Sequence, residues 1–226
     1  MTGRASPVVR SGPDKSRRNI IKKNKTELNC YGLLVYKSRH PFIRRIKRGH
    51  APSDFGYRVW PSSWLLMDFI RQDGLPPTRR VMDVGCGWGL AGIYCAKNHQ
   101  ALVTSVDIDE EVFPFLILHS EANNVQVTTV NSSFDQLADL QLRGIDLLIG
   151  ADICFHDEMV KPLIAFFDRA LALGVGKIIL ADPGRSSFET LANHYVAHSR
   201  ARTWSRTVMV PHLIFGRILK VSAVMA

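Results

Sequence analysis

Residues 83 to 92 read DVGCGWGLAG, an aspartate followed by four glycines, Gly85, Gly87, Gly89 and Gly92. Gly87, Gly89 and Gly92 satisfy the spacing G-x-G-x-x-G, and Asp107 follows Gly87 by 20 residues. Bare backbone at this spacing lets a ligand lie against a helix start, and an acid placed about 20 residues on can accept hydrogen bonds from ribose hydroxyls. Charge then decides the ligand. A pyrophosphate on this turn would meet Asp83, and at about 4 Å the repulsion reaches several kcal/mol even at an effective dielectric near 20. S-adenosyl-L-methionine has no phosphate; it carries an ammonium and a sulfonium, which an acid attracts directly or through water. In this reading the glycines carry the ligand's amino-acid end, Asp83 supports its cationic groups, and Asp107 accepts from the ribose. Gly85, Gly87, Gly89 and Ile108 belong to the expected cofactor site with them.

Two further segments add chemistry. In VNSSFDQ, Ser132 and Ser133 are expected as polar neighbours of adenine, with Phe134 either an apolar wall beside it or a core residue. IGADICF places Asp152 at the end of a strand and Phe155 three residues later, where Asp152 should face the reactive methyl group. Enzymes that methylate base amines or glutamine amides commonly have Asn/Asp-Pro-Pro-aromatic at this place, and that motif is absent. His194 and His198 are four apart but lack the glutamate of H-E-x-x-H, so no metal is expected. His156 is either a proton relay or a loop residue, and Arg185 either a contact for substrate or cofactor or the partner of an acid.

The elements that must position these residues alternate from residue 79 onward. Strands are expected in RRVMDVG, LVTSVDID, VQVTTV, IDLLIGAD and KIILADPG, with helices between and after them. β-branched apolar runs separated by helical segments predict strands buried on both faces of a parallel sheet with right-handed crossovers. The expected fold is α/β, a Rossmann-like, doubly wound, mostly parallel seven-stranded sheet. The tail after residue 200, broken at Pro211, predicts a C-terminal antiparallel hairpin on the sheet edge. Upstream, PSSWLLMDFIRQDG reads as a helix covering the sheet, and the weak alternation over residues 31–48 predicts a basic hairpin.

Charge is unevenly spread. Residues 1–50 hold 14 Lys and Arg against 2 acids, while the whole chain has 29 against 20. Lys15, Arg17, Arg18, Lys22, Lys23 and Lys25 lie in a stretch with little apolar content, which predicts a basic N-terminal arm over 1–50, partly disordered, ahead of a catalytic domain over 51–226. Such an arm is a solubility tail or a contact for an acidic protein or nucleic acid. Four cysteines without C-x-x-C spacing fit a reducing compartment. No apolar run reaches the roughly 18 residues of a membrane span. Cytoplasm is the expected location, although the Arg-rich, acid-poor start also fits an organellar presequence and hence the mitochondrial matrix.

Trp60 and Pro61 in VWPSSWLL, the glycine turn, VDID, LLIGADICFHDEMVKPLIAFFDRAL and ADPGRSSF together resemble the seven-β-strand lysine methyltransferases of the family-16 group. The Asp-x-x-Phe of Asp152 to Phe155 matches that group's Asp/Glu-x-x-Tyr/Phe mark after strand four, and DPGRSSF is similar to the branch acting on the electron-transfer flavoprotein β-subunit. The resemblance covers residues 57 to about 190. It implies a protein-lysine N-methyltransferase using S-adenosyl-L-methionine, with Asp83, Gly85, Gly87, Asp107 and Asp152 on the cofactor and Trp60 and Phe134 near it. Phe134 departs from the tryptophan frequent in the group. The implied partner is a protein with an acidic surface; nucleic acid through the arm is the less favoured alternative, and an RNA or small-molecule N-methyltransferase is the competing activity.

Lysine chemistry sets a physical demand. A free lysine side chain titrates near about 10.4, so presenting the neutral amine at pH 7 costs roughly 4 to 5 kcal/mol. A channel walled by Phe155, with Trp60, would desolvate the ammonium and lower its pKa, while Asp152, expected to position the acceptor and to take its proton, would also favour its charged form.

Overall fold

The computed structural model describes residues 25–53, 55–75, 80–198 and 201–223. Among these, a hairpin of β1 (Glu27–Cys30) and β2 (Leu33–Tyr36) precedes α1 (Pro41–Gly49) and α2 (Ser62–Asp73). There follow β3 (Arg80–Val84), α3 (Leu90–His99), β4 (Leu102–Asp107), α4 (Phe113–Ala122), β5 (Thr128–Asn131) and the short α5 (Asp139–Leu142). Then come β6 (Leu147–Ala151), α6 (Val160–Ala172), β7 (Lys177–Asp182), α7 (Ser186–His198), β8 (Ala201–Val208) and β9 (Ile214–Ser222).

Seven strands form one sheet in the order β5-β4-β3-β6-β7-β9-β8. The first five in that order are parallel; β9 runs antiparallel to β7, and β8 antiparallel to β9. This is the expected doubly wound architecture with its C-terminal hairpin at the edge. The order reverses between β3 and β6, and in such sheets ligands bind in the crevice at that point, beyond the carboxyl ends of the strands.

Period-two alternation sorts each strand between two cores. Val81, Leu147 and Ile149 face α2 and α3, whereas Met82, Val84 and Leu148 face α6 and α7. Burial of both faces is why these strands read as unbroken apolar runs.

The N-terminal region departs from expectation. The hairpin lies earlier than residues 31–48, turning through Tyr31 and Gly32 with φ of 52° and 76°, and residues 41–49 form a helix instead. Pro41 suits a first helical turn, the His40 ring accepts from Phe42 N–H, and Ile43 and Ile46 share the inward face. Of the basic arm expected over 1–50, Lys15, Arg17, Arg18, Lys22 and Lys23 lie outside the described residues. The hairpin and α1 pack on the α/β body. Leu33 and Val35 join the α2/α3 core, Ile43 packs with Trp88 and Phe115, and the Asn123 amide bonds both Leu34 N (2.9 Å) and Leu34 O (2.8 Å).

Candidate active site

A cavity of about 760 Å³ opens at the carboxyl ends of β3, β4 and β6. Trp60, Gly85, Gly87, Asp107, Ile108, Ser133, Phe134, Asp152 and Phe155 all line it. Two expected cofactor residues do not. Asp83 and Gly89 line a small annex of about 20 Å³ that shares Trp60, Gly85, Gly87 and Ala151 with the main cavity.

Strand alternation explains Asp83. It points to the same side of β3 as Val81, under the start of α3, and its carboxylate accepts from Gly92 N–H at 2.9 Å. It is buried, and burial lifts its pKa to about 7. Gly85, Gly87 and Gly89 all adopt left-handed backbone, with φ of 61°, 51° and 71°. At Gly89 a Cβ would come within 2.5 Å of Leu116, so this glycine lets α3 close on α4. Gly87 has open space where its Cβ would be and lines both the cavity and its annex.

Asp107 is held from two directions. Gly87 N–H donates to one carboxylate oxygen at 2.8 Å and Asp109 N–H to the other at 3.0 Å. A carboxylate oxygen has two acceptor sites, so each retains one for a ligand hydroxyl. Burial raises the pKa of this carboxyl, and the two backbone N–H groups pull it back. On the opposite wall Phe134 stacks on Phe166 at 5.4 Å, lines the cavity and packs against the α6/α7 core.

The other end of the cavity is built around Asp152, whose backbone has φ of 61° and donates N–H to Ala181 O. One of its oxygens accepts from Ser62 N–H at the start of α2 (3.2 Å), and the other from Arg185 Nη1 (2.8 Å). The same Nη1 reaches Asp182 at 2.6 Å, so one guanidinium joins two buried acids. Of the two roles open to Arg185, the structure shows the ion pair. His156 is exposed beside Phe155.

A strap of residues 50–53 and 55–60 closes this end. Its Phe55 stacks on Phe155 with centroids 4.4 Å apart, and Trp60 Nε1 donates to Phe55 O at 2.6 Å. The turn after β4 ties it down: Asp109 accepts from Ser53 N–H, and Glu111 from Ala51 N–H and the His50 ring. Trp88 Nε1 donates to Gly56 O from below.

Sequence reasoning missed Ser53, Phe55 and Gly56, because these residues are brought to the cavity by partners far along the chain. It also missed the α6 wall of Met159, Pro162, Phe166 and Arg169. Their spacing of three and four was a readable signal, a helical stripe running beside the buried Leu163 and Phe167.

Several observations bear on the cofactor. The volume lies within the about 300 to 1,000 Å³ usual for small-ligand sites. Acids outnumber cations on the lining, with Asp107, Asp109, Asp135 and Asp152 against Arg169 and Arg185. Arg185 is engaged by two carboxylates, and Arg169 Nη2 donates to Phe134 O. Nothing in that balance suits a diphosphate. The annex sets Arg58, 4.1 Å from the Trp60 ring, in the same small space as Asp83, a pairing suited to a zwitterionic amino-acid group. Among the described residues no three metal-ligating side chains converge, and no helix is long and apolar enough to cross a membrane.

Residues 45–190 match a protein-family model described as lysine methyltransferase. Among curated proteins, the electron transfer flavoprotein beta subunit lysine methyltransferase of Xenopus laevis is 25% identical over 132 residues, covering 58% of this chain and 53% of that protein. Protein-lysine N-methyltransferase EFM3 of Chaetomium thermophilum is 28% identical, covering 62% of this chain and 46% of its own length. This chain thus spans about half the length of the curated relatives it matches. Among solved structures, the tRNA (uracil-54, C5)-methyltransferase of Pyrococcus abyssi, in complex with S-adenosyl-L-homocysteine, has a TM-score of 0.55 at 18% identity, covering 86% of this chain and 42% of that one. At that identity the likeness is one of fold.

Proposed function

Because the chain belongs to the lysine methyltransferase family, we propose that it methylates the side-chain amine of a lysine in an acidic acceptor protein, using S-adenosyl-L-methionine. The observation that carries this reading is a single cavity joining the Gly87 and Asp107 end to the Asp152 and Phe155 end. When bound, the cofactor supplies a methyl group made electrophilic by a positively charged sulfur.

The chain's own residues do the rest. Asp107 takes the ribose hydroxyls on its two remaining acceptor sites, and the Phe134 and Phe166 stack gives adenine a flat apolar wall. Asp83 acts through water. An annex of about 20 Å³ has room for about one, and that water bridges the buried carboxylate to the ligand's ammonium.

At the acceptor end, Phe155 stacked on Phe55, with Trp60 beside them, strips water from the incoming ammonium and favours its free base. Asp152 alone would oppose this by favouring the cation. Its pairing with Arg185 offsets part of its charge, so it orients the amine through its remaining lone pairs with less pull on the proton. Holding nitrogen in line for displacement is worth up to about 7 to 11 kcal/mol relative to a free encounter.

The test is methyl transfer from labelled cofactor into a matched proteome lysate and into purified electron-transfer flavoprotein β-subunit, read by mass spectrometry. Labelled lysine is expected. Phe155→Ala should slow it on the order of 10²-fold through a misplaced acceptor, with cofactor affinity by calorimetry unchanged. Label in RNA or only in small molecules would overturn the reading.

A further inference from the structure

We propose that the exposed face of α1 is the docking surface for an acidic patch on the acceptor protein; this rests on the lysine-methyltransferase reading above. Arg44, Arg45, Lys47 and Arg48 fall within five residues of one helix, and Lys37 and Arg39 lie just before it, all exposed. At 100° per residue the four helical cations fan over one half of the helix, while Ile43 and Ile46 hold the other half against Trp88 and Phe115.

This charge is not neutralised at home. Among the described residues none of the six cations has a carboxylate within ion-pair distance; the nearby acids Glu27 and Glu111 pair with His40 and His50 instead. Lys47 lies 5.8 Å over the Trp88 ring, which steadies it without cancelling its charge. An uncompensated cluster of this size on a rigid helix attracts an anionic partner and raises its encounter rate.

Its location points to the acceptor. α1 ends at Gly49, and Ser53, four residues on and hence within about 14 Å of chain, already lines the cavity. Two residues beyond Ser53 comes the Phe55 that stacks on Phe155, so a partner seated on α1 lies at the mouth of the acceptor end. A protein fits this face better than RNA does. Base recognition stacks successive bases on several aromatic rings, and α1 carries a single one, Phe42.

The test compares the full chain with Arg44→Glu/Arg45→Glu/Arg48→Glu, none of which lines the cavity. Initial rates of lysine methylation in lysate are measured at low and at physiological salt, with poly-L-glutamate or double-stranded RNA as competitor. The wild-type rate should fall with salt and with poly-L-glutamate. The variant should be slower at low salt by about 10- to 10³-fold, the range of electrostatic steering, and insensitive to both, while its calorimetric affinity for S-adenosyl-L-homocysteine is unchanged. Should that affinity be lost through misfolding, Arg44→Gln/Arg45→Gln replaces the variant. Lysine labelling with equal rates in wild type and variant overturns the docking proposal and leaves the functional reading intact. Stronger inhibition by RNA than by poly-L-glutamate assigns the face to nucleic acid and overturns it too. No labelled lysine at all overturns the functional reading, and docking with it.

Discussion

Arg185→Ala would strand two buried carboxylates. Its Nη1 lies 2.8 Å from Asp152 and 2.6 Å from Asp182, and the two acids are 8% and 1% exposed. Removing one partner of a buried ion pair costs about 3 to 5 kcal/mol. The Arg185 side chain is 28% exposed, and Asp182 keeps the N–H groups of Gly184 and Arg185. Partial screening therefore lowers the expectation to about 2 to 3 kcal/mol. For a domain of this size that is a fall in Tm of roughly 4 to 12 °C.

The deficit must also depend on pH. Burial already holds the Asp152 carboxyl above its ordinary value, with Ser62 and Arg185 pulling it down, so loss of the guanidinium pushes it further up. A carboxyl whose folded pKa exceeds its unfolded value favours folding at low pH and loses that contribution as pH rises through the folded value. Calorimetric scans should show the largest deficit at about pH 8 and a smaller one at about pH 5. A variant within about 1 °C of wild type at neutral pH, or a deficit that grows on acidification, would refute the ion-pair account.

Asp107→Asn must turn an amide N–H₂ toward Gly87 N–H or Asp109 N–H, and lost hydrogen bonds to a charged group are worth about 1.5 to 3 kcal/mol. Calorimetry should show cofactor affinity weakened by about 10- to 150-fold; unchanged affinity would remove Asp107 from the site. Gly89→Ala places a Cβ 2.5 Å from Leu116 at a φ of 71°. Left-handed strain of about 1 to 2 kcal/mol and overpacking of about 1 to 3 kcal/mol should lower the urea midpoint, and an unmoved midpoint would contradict the α3/α4 contact. Asp83→Asn keeps an acceptor for Gly92 N–H but no longer titrates. The wild-type carboxyl, at about 7 when folded against 3.8 unfolded, contributes stability below 3.8 that is lost as pH rises through about 7. Wild-type stability should therefore fall relative to the variant across that interval; parallel pH profiles would show that Asp83 does not titrate as described.

Legibility differed by element. The strands β3, β6 and β7 were visible because each is buried on both faces, and β4 by its β-prone valines and threonine; their ends place Asp107 and Asp152 at the crevice. Residues 31–48 read as a hairpin because the period of two set by Leu33 and Val35 was carried past Tyr36, where the three-residue spacing of Ile43 and Ile46 is helical, and Asn123 and His119, more than 80 residues away, hold the actual hairpin in place. The glycine turn was legible in type, yet which glycine faces the cavity was not.

What the sequence determined by itself is the ligand crevice: the strand ends, the left-handed glycines and the acids beside them, all properties of local pattern and backbone sterics. Tertiary structure alone decided that Asp83 turns under α3 to Gly92, that Arg185 joins Asp152 to Asp182, and that a strap tied to Asp109 and Glu111 walls the Asp152 end of the cavity. Ser62 and Asp152 are 90 residues apart and Phe55 and Phe155 are 100 apart. Contacts of that range form only once the sheet has closed, and no local spacing encodes them.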